Sequence, residues 1–190
     1  MPDDRMFTDA EALLVTRDAQ SLDHPGGTLL EHLRRVGEQL ADWGASREVQ
    51  LAGLCHAAYG TDGFPVSLLD RDQRGTLREA IGMHAEELVY LYASCDRDKV
   101  YPQLDQANVY FHDRFTGLRT RPDKKSLQAF VEITAATELD VVRNNSALAD
   151  EHGPALQRLF VLASRHLSPS AQQVWSTWPA DPPAGVSSSQ

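Results

Sequence analysis

Leu29-Leu-Glu-His-Leu-Arg-Arg-Val-Gly-Glu-Gln-Leu-Ala-Asp-Trp-Gly44 is the stretch on which the fold class turns. Leu29, Leu33, Val36, Leu40 and Trp43 recur at steps of 4, 3, 4 and 3, so a single apolar stripe runs down an α-helix. Gly44 is a good stop, because glycine accepts the left-handed backbone that closes a helix. A stripe of this kind must be buried against other elements, and its neighbours in sequence are helical as well.

Moving outward, Ser46 can cap a helix reaching about Tyr59, in which Leu51, Ala52, Leu54, Cys55 and Ala58 leave little polar face. That helix should be central. Tyr59-Gly-Thr-Asp-Gly-Phe-Pro65 breaks it, and helical spacing returns over 74–82 and 83–94. Upstream, Thr8 and Glu11 fit a capping box that would start a short first helix. Residues 99–122 are the least regular interior stretch, with Tyr101, Tyr110, Phe111 and Phe115 interleaved with Arg114, Arg119 and Arg121. They read either as a substrate lid whose guanidinium groups bind phosphate or carboxylate, or as an apolar helix with a solvated basic rim. A long helix follows over 123–144, another over 154–166, and Ser168-Pro169 supplies an N-cap and a first-turn proline for a last short one. With no repeat, no strand alternation and no Asn-Gly turn, the expectation is one all-α domain over residues 1–178. A proline- and serine-rich tail, read as disordered, covers 179–190.

The 190 residues are 42 % apolar and 24 % charged, a composition that supports a folded core. Eighteen Lys and Arg against 27 Asp and Glu leave a net charge of -9, which speaks against an extended nucleic-acid footprint. No stretch approaches a membrane span and the start lacks a secretory pattern, so the expectation is a cytoplasmic protein without membrane partners. Cys55 and Cys95 sit in apolar segments without metal-ligand spacing and read as reduced core residues.

Three polar side chains fall where apolar ones are expected. His32 lies beside the stripe of its helix, His56 ends the Leu51-Ala-Gly-Leu-Cys run, and Asp140 follows Ile133 and Ala136 on the buried side of its helix, with Asn144 one turn later. A buried carboxylate needs a cation or several donors. Two imidazoles and a carboxylate converging from three helices suit a mononuclear divalent metal site for Mn, Fe or Zn, with His32, His56 and Asp140 as ligands. The other reading is a set of buried polar groups satisfied by one another and by backbone. His24 precedes His32 by eight residues and is a candidate acid or base. His84 and His112 read as structural residues, and His152 and His166 as surface residues.

These residues resemble the HD-domain metal-dependent phosphohydrolase superfamily over residues 20–145, and within it the Rel/Spo-type alarmone hydrolase domains. His32-Leu-Arg-Arg-Val36 is similar to the helix bearing their first histidine, Leu51-Ala-Gly-Leu-Cys-His56 to the run before their second, and Asp140-Val-Val-Arg-Asn144 to their D-x-x-x-N. The resemblance implies an HD-like helical bundle, metal on His32, His56 and Asp140, and a nucleotide or other phosphorylated metabolite as substrate. It also departs from that pattern, because Ala57 stands where the family has a metal-ligating Asp, and Gly60 and Thr61 replace an acidic pair. Asp62 is the carboxylate that would stand in, and Asn144 would orient Asp140.

The resulting expectation is a mononuclear metal-dependent hydrolase of a small phosphorylated or anionic substrate, with His24, Asp62 and Asn144 assisting. One alternative is an iron oxygenase similar to the dinuclear HD oxygenases, using His32, His56, His84, His112 and Asp140. A second is an inactive HD fold that binds a ligand or partner.

Overall fold

Thr28 starts the decisive helix: its hydroxyl accepts from Glu31 N at 3.3 Å while its own N–H donates to the Glu31 carboxylate at 2.8 Å. Helix α2 (Leu29–Asp42) follows, with Leu29, Leu33, Val36 and Leu40 no more than 1 % exposed, and the chain turns at Gly44 with φ +77°. The computed structural model describes residues 2–178, so the expected tail at 179–190 lies outside the described residues.

The all-α expectation holds. Helix α1 (Pro2–Thr16) packs on α4 (Arg74–Ile81), α2 on α3 (Arg47–Leu54), and α3 on α5 (Met83–Ser94). A single turn, α6 (Arg97–Val100), leads into the irregular stretch. Helix α7 (Lys124–Asn144) lies against α2, α3, α5 and α8 (Ser146–Leu162), and α9 (Pro169–Ser176) closes on α8. Among the described residues no helix is long and apolar enough to cross a membrane. Cys55 and Cys95 are free and buried, and burial pushes both thiols up to about 12.

Several boundaries differ from expectation for local reasons. Helix α1 begins at Pro2, where a first-turn proline forfeits no hydrogen bond, so Thr8 lies inside the helix rather than capping it. Helix α3 stops at Leu54 rather than Tyr59, and tight turns carry His56 to Gly60. Helix α8 starts at Ser146, capped by Asn145 Oδ1 from Leu148 N at 3.1 Å, and runs through Pro154, which was expected to open it. Gly82, with φ +83°, separates α4 from α5.

Beyond the end of α6 and a 3-10 turn over Tyr101–Gln103, the stretch over 99–122 is neither the expected apolar helix nor a continuous loop. Its β3 (Phe111–His112) pairs with β4 (Arg119–Thr120), and a similar two-residue ladder joins β1 (Asp23–His24) to β2 (Gly27–Thr28). Phe111 packs edge-on against Phe130 of α7 at 4.7 Å. Arginines stack on its other aromatic rings, Arg71 and Arg114 on Phe115 at 4.8 and 4.5 Å and Arg119 on Tyr110 at 4.0 Å.

Candidate functional site

The stripe of α2 and the buried face of α7 meet at Asp140. Its Oδ2 accepts from His32 Nδ1 at 2.6 Å and from one Arg35 terminal nitrogen at 3.0 Å, while Oδ1 accepts from Arg35 Nε at 2.6 Å and from Asn144 Nδ2 at 3.1 Å. Burial alone would raise the carboxyl's pKa, but the bonds from His32 and Arg35 outweigh it and hold Asp140 below the ordinary carboxylate range. Asp140 therefore remains charged and fixes the orientation of the His32 ring.

Three imidazoles gather there. His24, on β1, stacks on His32 with centroids 3.9 Å apart and planes at 22°, and His56 meets His32 edge-on at 5.2 Å. The β1–β2 turn is held against α7, since a side chain at Gly26, which has φ +82°, would collide with Asn144. His56 Nδ1 faces the Gly53 carbonyl at 2.7 Å. A carbonyl only accepts, so Nδ1 carries the proton and Nε2 of the neutral ring carries the lone pair. At His32 the carboxylate acceptor likewise engages Nδ1 and leaves Nε2 as the ring atom open to a further bond. That atom is buried without a hydrogen-bond partner, as is His24 Nδ1.

Burial, followed by the neighbouring His32, lowers the pKa of His24 to about 4 and holds that of His56 well below its ordinary value. Both rings are neutral at neutral pH. The cluster thus offers proton-accepting or metal-ligating nitrogens in a largely dry setting, with the Phe64 ring edge-on to His24 at 5.6 Å.

The structure gathers His24, His32, His56, Asp140 and Asn144, all singled out from sequence. It changes the role of Asp140, whose two oxygens are engaged by His32, Arg35 and Asn144 and which stands behind His32 rather than beside it. Among the described residues no group of three or more His, Cys, Asp or Glu side chains is arranged to hold a metal ion. With both oxygens engaged, Asp140 does not complete the expected three-ligand set with His32 and His56. Asp62 is placed differently from expectation: it is exposed, and its Oδ2 accepts from Arg97 N at 2.9 Å. His84 points outward, 81 % exposed, 3.6 Å from Glu87, so it joins neither the core nor the cluster. His112 sits in the β3–β4 ladder, where its carbonyl accepts from Asp96 N. His166, expected at the surface, keeps both ring nitrogens buried. Ala57 is part of the core, 2 % exposed.

Arg35 was not foreseen, although Asp140's need for a cation and Arg35's place three residues after His32 were both legible. Beyond His56, Tyr92 approaches edge-on at 5.2 Å, and Arg97 donates to the Tyr92 hydroxyl at 3.1 Å. These two also escaped the sequence reading, which had no pattern with which to find them.

Residues 13–97 match the profile of a domain of unknown function, DUF6817. That span carries the three histidines and ends before Asp140, covering under half of the 190 residues. No curated protein and no solved structure matches the chain.

Proposed function

We propose that the protein is a hydrolase of a small phosphorylated or other anionic metabolite, with His32 and His56 at its catalytic centre. The observation that carries this reading is His32 Nε2, a buried atom without a partner on a ring whose other nitrogen is clamped by Asp140. Leaving a buried polar atom unpaired costs roughly 1–3 kcal/mol, an expense that a site awaiting a ligand explains. Imidazoles that ligate metals commonly donate their second N–H to a carboxylate or a backbone carbonyl, which is how His32 and His56 are held.

A divalent ion, Mn, Fe or Zn, bound by Nε2 of His32 and of His56 would supply an acidified water at neutral pH. The chain's own groups do the rest. Asp140, with Arg35 and Asn144 behind it, would fix the His32 tautomer, the Gly53 carbonyl that of His56, and His24, stacked on His32, would pass a proton. The resemblance to HD-domain phosphohydrolases supports the same assignment.

The test is elemental analysis of the purified and metal-loaded protein, coupled to a screen of phosphate esters, with His32→Gln and His56→Gln alongside. One equivalent of metal and ester cleavage, both lost in the variants, is the expected result. Equal metal content in wild type and variants overturns the metal assignment. A second reading rests on the His32–Asp140 pair itself, which is a base held by an orienting carboxylate and can draw a proton from water without metal. Cleavage that persists in chelator and disappears in His32→Gln selects it. Oxygen uptake by the iron-loaded protein would instead favour the oxygenase alternative.

A further inference from the structure

The polar groups beyond His56 are not used by the histidine centre. Arg97 is 21 % exposed, and one terminal nitrogen donates to Glu138 at 3.1 Å and the other to the Tyr92 hydroxyl at 3.1 Å. A guanidinium has five N–H donors, so most of its capacity lacks an acceptor among the described residues. The guanidinium also sits near the faces of Tyr92 and Tyr101, with centroids at 5.7 and 5.8 Å. The Tyr101 hydroxyl is buried without a partner, and so is that of Thr137, a side chain 8 % exposed and adjacent to Glu138 on α7. Thr137 also neighbours the Tyr92 hydroxyl. Burial holds the Tyr101 phenol well above its ordinary range, so it keeps its proton and can donate. The strap over 60–65 covers this group: Asp62 holds the backbone N–H of Arg97, and a Cβ at Gly63 would sit 3.3 Å from a guanidinium nitrogen.

Two buried hydroxyls without partners, and a cation with spare donors bound to the Tyr92 that packs on His56, are an expensive arrangement for a core. They match what an oxoanion requires: several donors, one of them charged, in a poorly solvated setting. We propose that Arg97, Tyr101 and Thr137 form an oxoanion subsite that holds the phosphoryl or carboxylate group of the substrate beside the histidine centre. The subsite rests on the catalytic reading of His32 and His56 for its purpose, but its binding is measurable without turnover. Glu138 competes for the guanidinium and limits affinity for the free ion.

The experiment is calorimetric titration of the full chain with inorganic phosphate, and separately with acetate, for wild type, Tyr101→Phe, Thr137→Val, Arg97→Lys and Glu138→Gln. Wild type is expected to bind one of the two ions, Tyr101→Phe and Arg97→Lys to weaken that binding roughly tenfold, and Thr137→Val several-fold. Glu138→Gln should bind more tightly. Whichever ion shows this pattern identifies the group as phosphoryl or carboxylate. Tyr101→Phe and Thr137→Val remove only an unpaired hydroxyl, so they fold and keep the test decisive if Arg97→Lys does not. Binding of neither ion by wild type, or unchanged binding in Tyr101→Phe and Thr137→Val, overturns the subsite. His32→Gln is included to separate the two assignments. Phosphate binding retained in that variant, with no ester cleaved by wild type, leaves the subsite standing and removes the hydrolase.

Discussion

Among the buried carboxylates of the bundle, Glu86 on α5 and Asp140 on α7 stand at two different places and are built alike up to a point. Glu86 is 0 % exposed and accepts from the Tyr59 hydroxyl at 2.9 Å, Arg74 at 2.5 and 2.9 Å, and Arg78 at 2.7 Å. Asp140 likewise gathers an arginine and two further donors. At Glu86 the chain of bonds ends in satisfied groups, with the Arg74 guanidinium 4.1 Å over the Tyr90 ring. At Asp140 it ends in His32 Nε2, which has no partner, and His24, Tyr101 and Thr137 around the same region add further unpaired atoms. A buried acid does not by itself mark a site. What distinguishes the two is whether the polar atoms it organises are all satisfied within the fold.

The sharpest way to break that contrast is to remove each hub. Glu86→Ala leaves two guanidinium groups and a phenol without their acceptor and is expected to cost about 3 kcal/mol in urea unfolding, at the low end for a broken buried pair because Arg74 and Arg78 are partly exposed. It should leave metal uptake and catalysis by the folded fraction unchanged. Asp140→Asn is expected to cost about 1–3 kcal/mol and to reduce metal affinity or turnover roughly 10–100-fold by releasing His32. Equal functional loss in both variants would erase the distinction.

Acid titration sharpens it further. His24 and His56 are neutral when folded, with the His24 pKa lowered from 6.5 to about 4 by burial and by His32. The unfolded chain binds more protons than the native one between these values, so stability should fall as the pH drops from 6.5 towards 4 and show no contribution from these rings above that window. Asp140 and Glu86, both held below their ordinary values, add stability that is lost only at lower pH, as each protonates. Thermal melts across this range should lose part of their slope above pH 4 in His24→Asn, with His56 supplying the rest, and keep all of it in Glu86→Ala. The smallest effect is the most discriminating: Tyr101→Phe and Thr137→Val should change stability by less than about 1 kcal/mol, with an increase more natural than a loss, since each deletes a buried hydroxyl that has no partner.

Much of the bundle was legible because period carries it. The stripe of α2, the long apolar face of α7 behind the Asp123 cap, and the Ser168-Pro169 start of α9 were all readable from spacing and caps. Boundaries at Pro2 and Pro154 were not, because a proline tolerated in a first turn and one carried inside a longer helix look the same in sequence. For the site, burial patterning picked out His32, His56 and Asp140, and neighbourhood picked out His24 and Asn144. Asp62 was misassigned because a carboxylate near a turn carries no sign of whether it faces inward. Tyr101 lies in the irregular stretch and Arg97 opens the single turn that leads into it, where no period points a side chain anywhere, and only the folded chain brings them to the Tyr92 that packs on His56.

Helix α7 supplies Thr137, Glu138, Asp140 and Asn144, while every histidine of the cluster comes from before residue 57. During synthesis the three imidazoles therefore leave the ribosome long before the carboxylate that orients them. A chain cut after residue 97, where the matched domain profile ends, would carry the histidines without Asp140 or Thr137. The cluster is therefore assembled only once α7 has been made and docks, since that one helix backs His32 through Asp140 and Arg97 through Glu138.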